Sequence, residues 1–250
     1  MPAIITKDFR IHNARQFQES FGEAADTYYL AIGRPQAFAD NQAFNDGTDT
    51  SPPTPVDDVG QVEYYAYDDL LSAKKIASSD TTLVIPRRDW ATGTTYDYYR
   101  HDYGDINTAG ATITSNSNAT TLYDSTFYVV NSSFDVFVCI DNDGDTASTT
   151  EPTTKQAAIF STADGYKWKY MYSLISAEQA NFLSTDFMHV STESTDYSTV
   201  GGAIENVKVT AGGASGTNGT YTSVVIRGDG TGGRCTVVIA ANAVSSVTIT

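Results

Sequence analysis

Between residues 126 and 140 the apolar positions crowd into two runs, Thr126-Phe127-Tyr128-Val129-Val130 and Phe134-Asp135-Val136-Phe137-Val138-Cys139-Ile140, parted by Asn131-Ser132-Ser133. Two aromatic and β-branched runs around a short polar turn predict a β-hairpin. Period two puts Phe134, Val136, Val138 and Ile140 on one face and Asp135, Phe137 and Cys139 on the other, so a strand covered on both faces is expected. Downstream, Asp164-Gly165 opens a turn, after which Tyr166, Trp168, Tyr170 and Tyr172 alternate with Lys167 and Lys169. That alternation predicts a strand with an aromatic face and a lysine face. Thr27 to Ile32 reads as another strand, stopped by Gly33-Arg34-Pro35. Leu83-Val84-Ile85-Pro86 is a fifth, and its proline, which removes a ladder donor, places it at a sheet edge.

Helical spacing is rarer. Asn13 with Gln16 three residues on reads as a capping box, Phe17 and Phe21 share a face expected to bury, and Gly22 ends the helix. Asp57 or Asp58 is expected to cap a second helix running to about Ala77, with Tyr64, Tyr65, Leu70, Leu71 and Ile76 among its apolar positions and Lys74 and Lys75 complementing its dipole. Ser51-Pro52-Pro53-Thr54-Pro55 before it should be extended polyproline. Ser176 to Leu183 is a third helix, with Ser176 as cap and Gln179 as its partner. The run from Thr94 to Asp105 sets Tyr96, Tyr98, Tyr99 and Tyr103 among charges, which fits a protein contact or the wet face of a strand equally. After Tyr197 the composition turns to Gly, Ala, Val and Thr. Val207/Val209, Val224/Ile226, Val237/Ile239 and Val247/Ile249 mark four short strands, the last still in pattern at Thr250, so this piece is expected to be incomplete or completed by another chain. The fold class is therefore α+β: a mixed, β-rich body with a few short helices over residues 1–198, followed by a small Gly-rich all-β unit over 199–250.

Charge narrows the function. The 250 residues carry 15 Lys+Arg against 30 Asp+Glu, a formal net charge of -15. A nucleic-acid binder needs a cationic footprint to release counterions, so nucleic acid is excluded as a partner, while acidic faces suit docking on basic protein surfaces. No apolar run approaches the roughly 18–20 residues of a membrane-spanning helix, and no basic-then-apolar leader opens the chain, so neither membrane insertion nor secretion is expected. Cys139 and Cys235 are too far apart and too few for a disulfide framework or a zinc pattern, and read as reduced and buried.

Candidate chemistry is thin. Asp141-Asn142-Asp143-Gly144-Asp145 sets Asp141, Asp143 and Asp145 at alternate positions, as calcium ligands can be, but the glycine and the closing glutamate are misplaced for a helix-loop-helix site, and a polar turn explains the run as well. Neither Cys139 nor any serine sits in a nucleophile motif near His12, His101 or His189. Gly228 to Gly233 lacks the Lys-Ser/Thr of a phosphate loop and reads as a turn. An enzyme, if present, would be a glycan-active β protein with carboxylates over an aromatic floor. The most constrained stretch is Leu83 to Trp90: Arg87 and Arg88 fall on opposite faces of an extended chain, so each planar fork needs its own carboxylate or carbonyl.

Four segments together carry a resemblance: Ala31-Ile32-Gly33-Arg34-Pro35, the Val84-Ile85-Pro86-Arg87-Arg88-Asp89-Trp90 core, the Phe137 to Ile140 strand with its cysteine, and Asp164-Gly165-Tyr166-x-Trp168-x-Tyr170. In this order they are similar to the baseplate wedge subunits, of the eighth-gene-product type, of T-even-like contractile-tailed bacteriophages. The resemblance covers about residues 28–190, and the Gly-rich segment after residue 200 has no counterpart in it. It implies a structural virion protein of the tail baseplate, homodimeric, packed against other wedge proteins, without catalysis or cofactor. Arg34, Arg87, Arg88, Asp89, Trp90, Tyr166 and Trp168 are then expected as interface or structural residues. The alternative is a glycan-binding or glycan-degrading tail module.

Overall fold

A computed structural model describes residues 7–23, 27–33, 50–51, 70–106, 110–191 and 203–250. The chain divides into two compact units, Met1–Leu83 and Val84–Thr250.

In the first unit, helix α1 spans Lys7–Ser20 and strands β1 (Tyr28–Gly33) and β2 (Leu70–Ile76) form a two-stranded antiparallel ribbon. The helix begins six residues before the expected Asn13 cap. Neither Gly nor Pro interrupts residues 8–19, so the helix runs through Asn13, and Gln16 donates to Glu19 at 3.2 Å instead of closing a cap. Phe17 is not buried as expected but 62% exposed, in a small aromatic group with Phe21 at 5.0 Å and Tyr28 at 6.3 Å. The second correction is larger: Leu70–Ile76 is a strand rather than the end of a helix. Its backbone pairs with β1, Leu30 opposite Lys74 and Tyr28 opposite Ile76, and that pairing outweighs a local helical pattern. Lys74 meets Asp80 at 2.8 Å across the tight turn Ser78–Asp80 instead of a helix end. Arg34, the polyproline stretch after Ser51, and the proposed caps Asp57 and Asp58 lie outside the described residues.

The second unit is built on an antiparallel sheet ordered β4 (Tyr128–Val130), β5 (Asp135–Asp141), β7 (Lys167–Ser173), β6 (Phe160–Ser161). β4 and β5 form the expected hairpin, Val129 opposite Phe137. Both faces of β5 are covered, as its pattern required. Phe137 and Cys139 join Tyr96, Val129, Tyr166 and Trp168 in one cluster; Val136 joins Tyr128, Val130, Tyr172, Leu174 and Met188 in the other. Strict alternation along β7 does not hold. A bulge between Val136 and Phe137 shifts its register, so Trp168 serves the first cluster and Tyr172 the second.

Strand β3 (Val84–Pro86) pairs with β8 (Phe187–His189), and helix α2 (Ser176–Phe182) precedes β8. The cap position of α2 is Ile175 rather than Ser176, without a side-chain cap, and Gln179 turns back to donate to the Leu174 carbonyl. The tyrosine run from Thr94 to Asp105 contains no regular strand; it is loop packed on the sheet, with Tyr96 and Tyr103 buried. After residue 203, strands β9 (Gly219–Val225), β10 (Arg234–Ala240) and β11 (Ala243–Ile249) form a three-stranded antiparallel sheet in the order β11-β10-β9. Three of the four expected strands are present, and Val207 and Val209 lie in irregular chain. The described residues are thus β-rich, with two α-helices, and none of their helices is long and apolar enough to cross a membrane. The boundary expected near residue 198 falls outside the described residues.

Candidate functional site

The arginine stretch joins two sheets. From β3 the chain passes to the end of β4: Val130 N–H donates to Arg88 O and Trp90 N–H to Val130 O, both at 2.8 Å. Each guanidinium finds a partner within the chain. Arg87 Nε donates to Asp89 at 2.8 Å and Nη1 to the Ser184 carbonyl at 3.1 Å. Arg88 takes no carboxylate; its Nη2 donates to the Tyr123 and Asp124 carbonyls at 3.1 and 3.2 Å, and its guanidinium carbon lies 5.5 Å from the centre of the Tyr128 ring. Tyr128 in turn donates to the Pro86 carbonyl at 2.7 Å, and Trp90 Nε1 to Ser148 at 3.1 Å. This arrangement is a clamp. Arg87→Ala with Arg88→Ala should cost about 2–3 kcal/mol, mostly from Arg88, because Asp89 is well exposed and its ion pair contributes little. A denaturant midpoint unchanged from the unmodified chain would remove the clamp.

Two carboxylates, Asp97 with no recognisable sequence signal and Asp164 from the turn read at Asp164-Gly165, organise the loops around the sheet. Asp97 is fully buried and accepts from Ser117 N–H at 2.8 Å, Ser117 Oγ at 2.6 Å, Ser125 Oγ at 3.0 Å, Thr126 N–H at 2.7 Å and Thr126 Oγ1 at 3.1 Å. Burial pushes its carboxyl up, yet the donors from Ser117, Thr126 and Ser125 outweigh burial and hold it below the ordinary carboxylate value. Asp164 does the same for another loop, accepting from Ser148, Thr149 and Thr150 at 2.8 to 3.0 Å and from Thr162, with its carboxyl also lowered against the effect of burial. Next to it Gly165 adopts φ +86°, a conformation that favours glycine, and a β-carbon there would also push the Asp143 side chain aside.

The alternating aspartates do not converge. Asp141 pairs with Lys208 at 2.9 Å, the Asp143 side chain packs on Gly165, and Asp145 accepts from Asn142 Nδ2 at 2.7 Å. Among the described residues no group of three or more His, Cys, Asp or Glu is gathered as a metal ion would need. Cys139 is fully buried, and loss of solvent, followed by the nearby Asp141 charge, pushes its thiol far above the ordinary range, which leaves it inert. His189, also buried, has Nε2 at 2.6 Å from Glu178. Tyr166 and Trp168 lie stacked in the core, ring centres 5.5 Å apart and both fully buried, so they support the sheet rather than face a partner.

The cavities among the described residues include one beside the sheet β9 to β11 and one beside the arginine stretch. The larger, about 550 Å³, is lined by Ile204, Ile226, Arg227, Asp229, Arg234 and Ile249 among others, with one carboxylate and no aromatic ring. The smaller, about 190 Å³, borders Arg87, Asp89, Trp90, Phe134 and Glu151, and its carboxylates are engaged by Arg87 and by the Ser132 N–H. Neither is a groove with two free carboxylates over an aromatic floor, which glycan cleavage requires.

Residues 3–150 match the family model described as Bacteriophage T4, Gp8. The chain belongs to the phage Gp8 family. A curated relative, the baseplate wedge protein gp8 of Enterobacteria phage T4, is 25% identical over 206 residues, covering 75% of this chain. The chain spans 60% of the length of that relative. The Gp8 match takes in the Arg87–Trp90 clamp and the Asp97 loop, whereas Tyr166, Trp168 and the sheet β9 to β11 lie beyond residue 150. Within the family match, then, the buried polar frame is the part of the site that sequence reading missed: Asp97 stands 20 residues from Ser117 and 29 from Thr126, and no local pattern links them.

Proposed function

We propose that this protein is a structural subunit of a phage tail baseplate wedge, part of the virion, assembling with other baseplate proteins and working without catalysis or cofactor. The match to Gp8 carries this reading, because the matched relative is named a baseplate wedge protein. The first unit supplies a physical reason. Ile11, Phe17, Tyr29, Leu30, Ile32, Leu70 and Leu71 are all 39% exposed or more, on one helix and a two-stranded ribbon. A two-stranded ribbon by itself is marginal in water, and covering what each of these side chains still exposes would contribute about 1 kcal/mol, so the surface is fitted to be covered by protein. A homodimer is one such cover and neighbouring wedge subunits another. The Gly-rich sheet β9 to β11 is read as an appended β unit of the same assembly.

Ile32→Asp with Leu71→Asp tests the reading. The expected result is a chain whose second unit stays folded while its self-association or co-assembly with wedge proteins, followed by size-exclusion chromatography with light scattering, is weakened about tenfold or more. A strict monomer that joins no baseplate protein and cleaves polysaccharide would reject it.

A further inference from the structure

Residues 203–250 meet the four-stranded sheet through two charge pairs of opposite sense. Glu205 lies 2.5 Å from Lys169, whose side chain is almost buried in the middle of β7. Lys208 reaches the other way: its Nζ is 2.9 Å from Asp141 Oδ1, 3.1 Å from Asn142 Oδ1 and 3.9 Å from the centre of the Tyr98 ring. Among the described residues these are the hydrogen bonds and ion pairs that join 203–250 to 84–191. The others made by 203–250 close within it, as Gly216 to Asn242, Val244 to Gly212 and Thr250 to Arg234 do. Neither hydrophobic cluster takes a residue from beyond 188.

A carboxylate, an amide carbonyl and an aromatic face around one ammonium make a socket in which each group stabilises the cation by different means. Asn142, fully buried, is fixed there by its own bonds to the Tyr96 carbonyl at 2.9 Å and to Asp145. The aspartate-rich turn that resembles a metal loop thus already holds a cation supplied by the chain. The crossed signs also fix register, because sliding the segment until Glu205 took the place of Lys208 would set it against Asp141. We propose that Glu205 and Lys208 form a latch that docks the carboxyl-terminal sheet on the body, and that opening it frees residues 203–250 as a unit while the core stays folded. This does not depend on the assembly role.

Limited proteolysis of the full chain, with hydrogen exchange reporting on the core, tests the latch. In Glu205→Gln with Lys208→Met, cleavage within residues 203–212 should be about tenfold faster or more, while the amides of β4, β5 and β7 keep their protection. Asp141→Asn and Lys208→Met should be non-additive in that cleavage rate, the pair no worse than either alone. Raising NaCl on the unmodified chain from roughly 0.05 to 0.5 M should speed the same cleavage. Unchanged cleavage in the double variant, full additivity at Asp141 and Lys208, or simultaneous loss of protection in β5 and β7 would each overturn the proposal.

Discussion

Trp168→Ala should remove about 3–5 kcal/mol of stability, the range for truncating a fully buried tryptophan. The indole is fully buried at the centre of the first cluster, stacked on Tyr166 and edge-on to Tyr96 at 5.9 Å, and opposite Cys139 in the sheet. The cavity would open where three strands and the Tyr96 loop meet, so little local collapse can refill it. Trp168→Phe should cost less than half as much. It keeps most of the ring contact and removes an indole N–H that has no hydrogen-bond partner. Equilibrium denaturation by near-UV circular dichroism measures both. A loss under about 1 kcal/mol for the alanine variant would contradict the placement of this ring in the core.

Asp97→Asn is expected to cost about 3 kcal/mol or more, though it changes a single atom. The carboxylate accepts five hydrogen bonds, two from backbone N–H groups, and charge-assisted bonds contribute about 1.5–3 kcal/mol each. An amide must turn its NH₂ toward either Ser117 N–H or Thr126 N–H, so whichever way it flips, donor faces donor. The same carboxylate predicts a pH dependence. Its folded-state value, like that of Asp164, is lowered from 3.8, so the stability it supplies is fully present above the unfolded value and is lost as pH falls through the folded one. Stability should therefore fall steeply below about pH 4, and Asp97→Asn should flatten that fall. An acid limb of the same steepness in the variant would show that other carboxylates govern it.

Sequence pattern determined much of this protein, and the reason is locality. Wherever one hydrophobic period could be satisfied by one strand with both faces covered, as at Phe134 to Ile140, or where a proline set an edge, as at Pro86, the reading and the structure agree. It erred where a partner distant in sequence decided: Leu70–Ile76 became a strand because β1 needed its backbone groups, and Tyr172 changed faces because β5 and β7 differ by a bulge. Arg87 and Arg88 were legible as groups needing partners within reach. Only the tertiary structure could show that Arg88 is held by two carbonyls and a ring, that Asp97 gathers donors 20 and 29 residues away, or that the cation in the aspartate turn is Lys208, 67 residues beyond Asp141. Periodicity records which side of a strand is apolar. Which distant donor reaches a buried charge depends on how the loops close over the sheet, and the chain leaves no repeating mark of that.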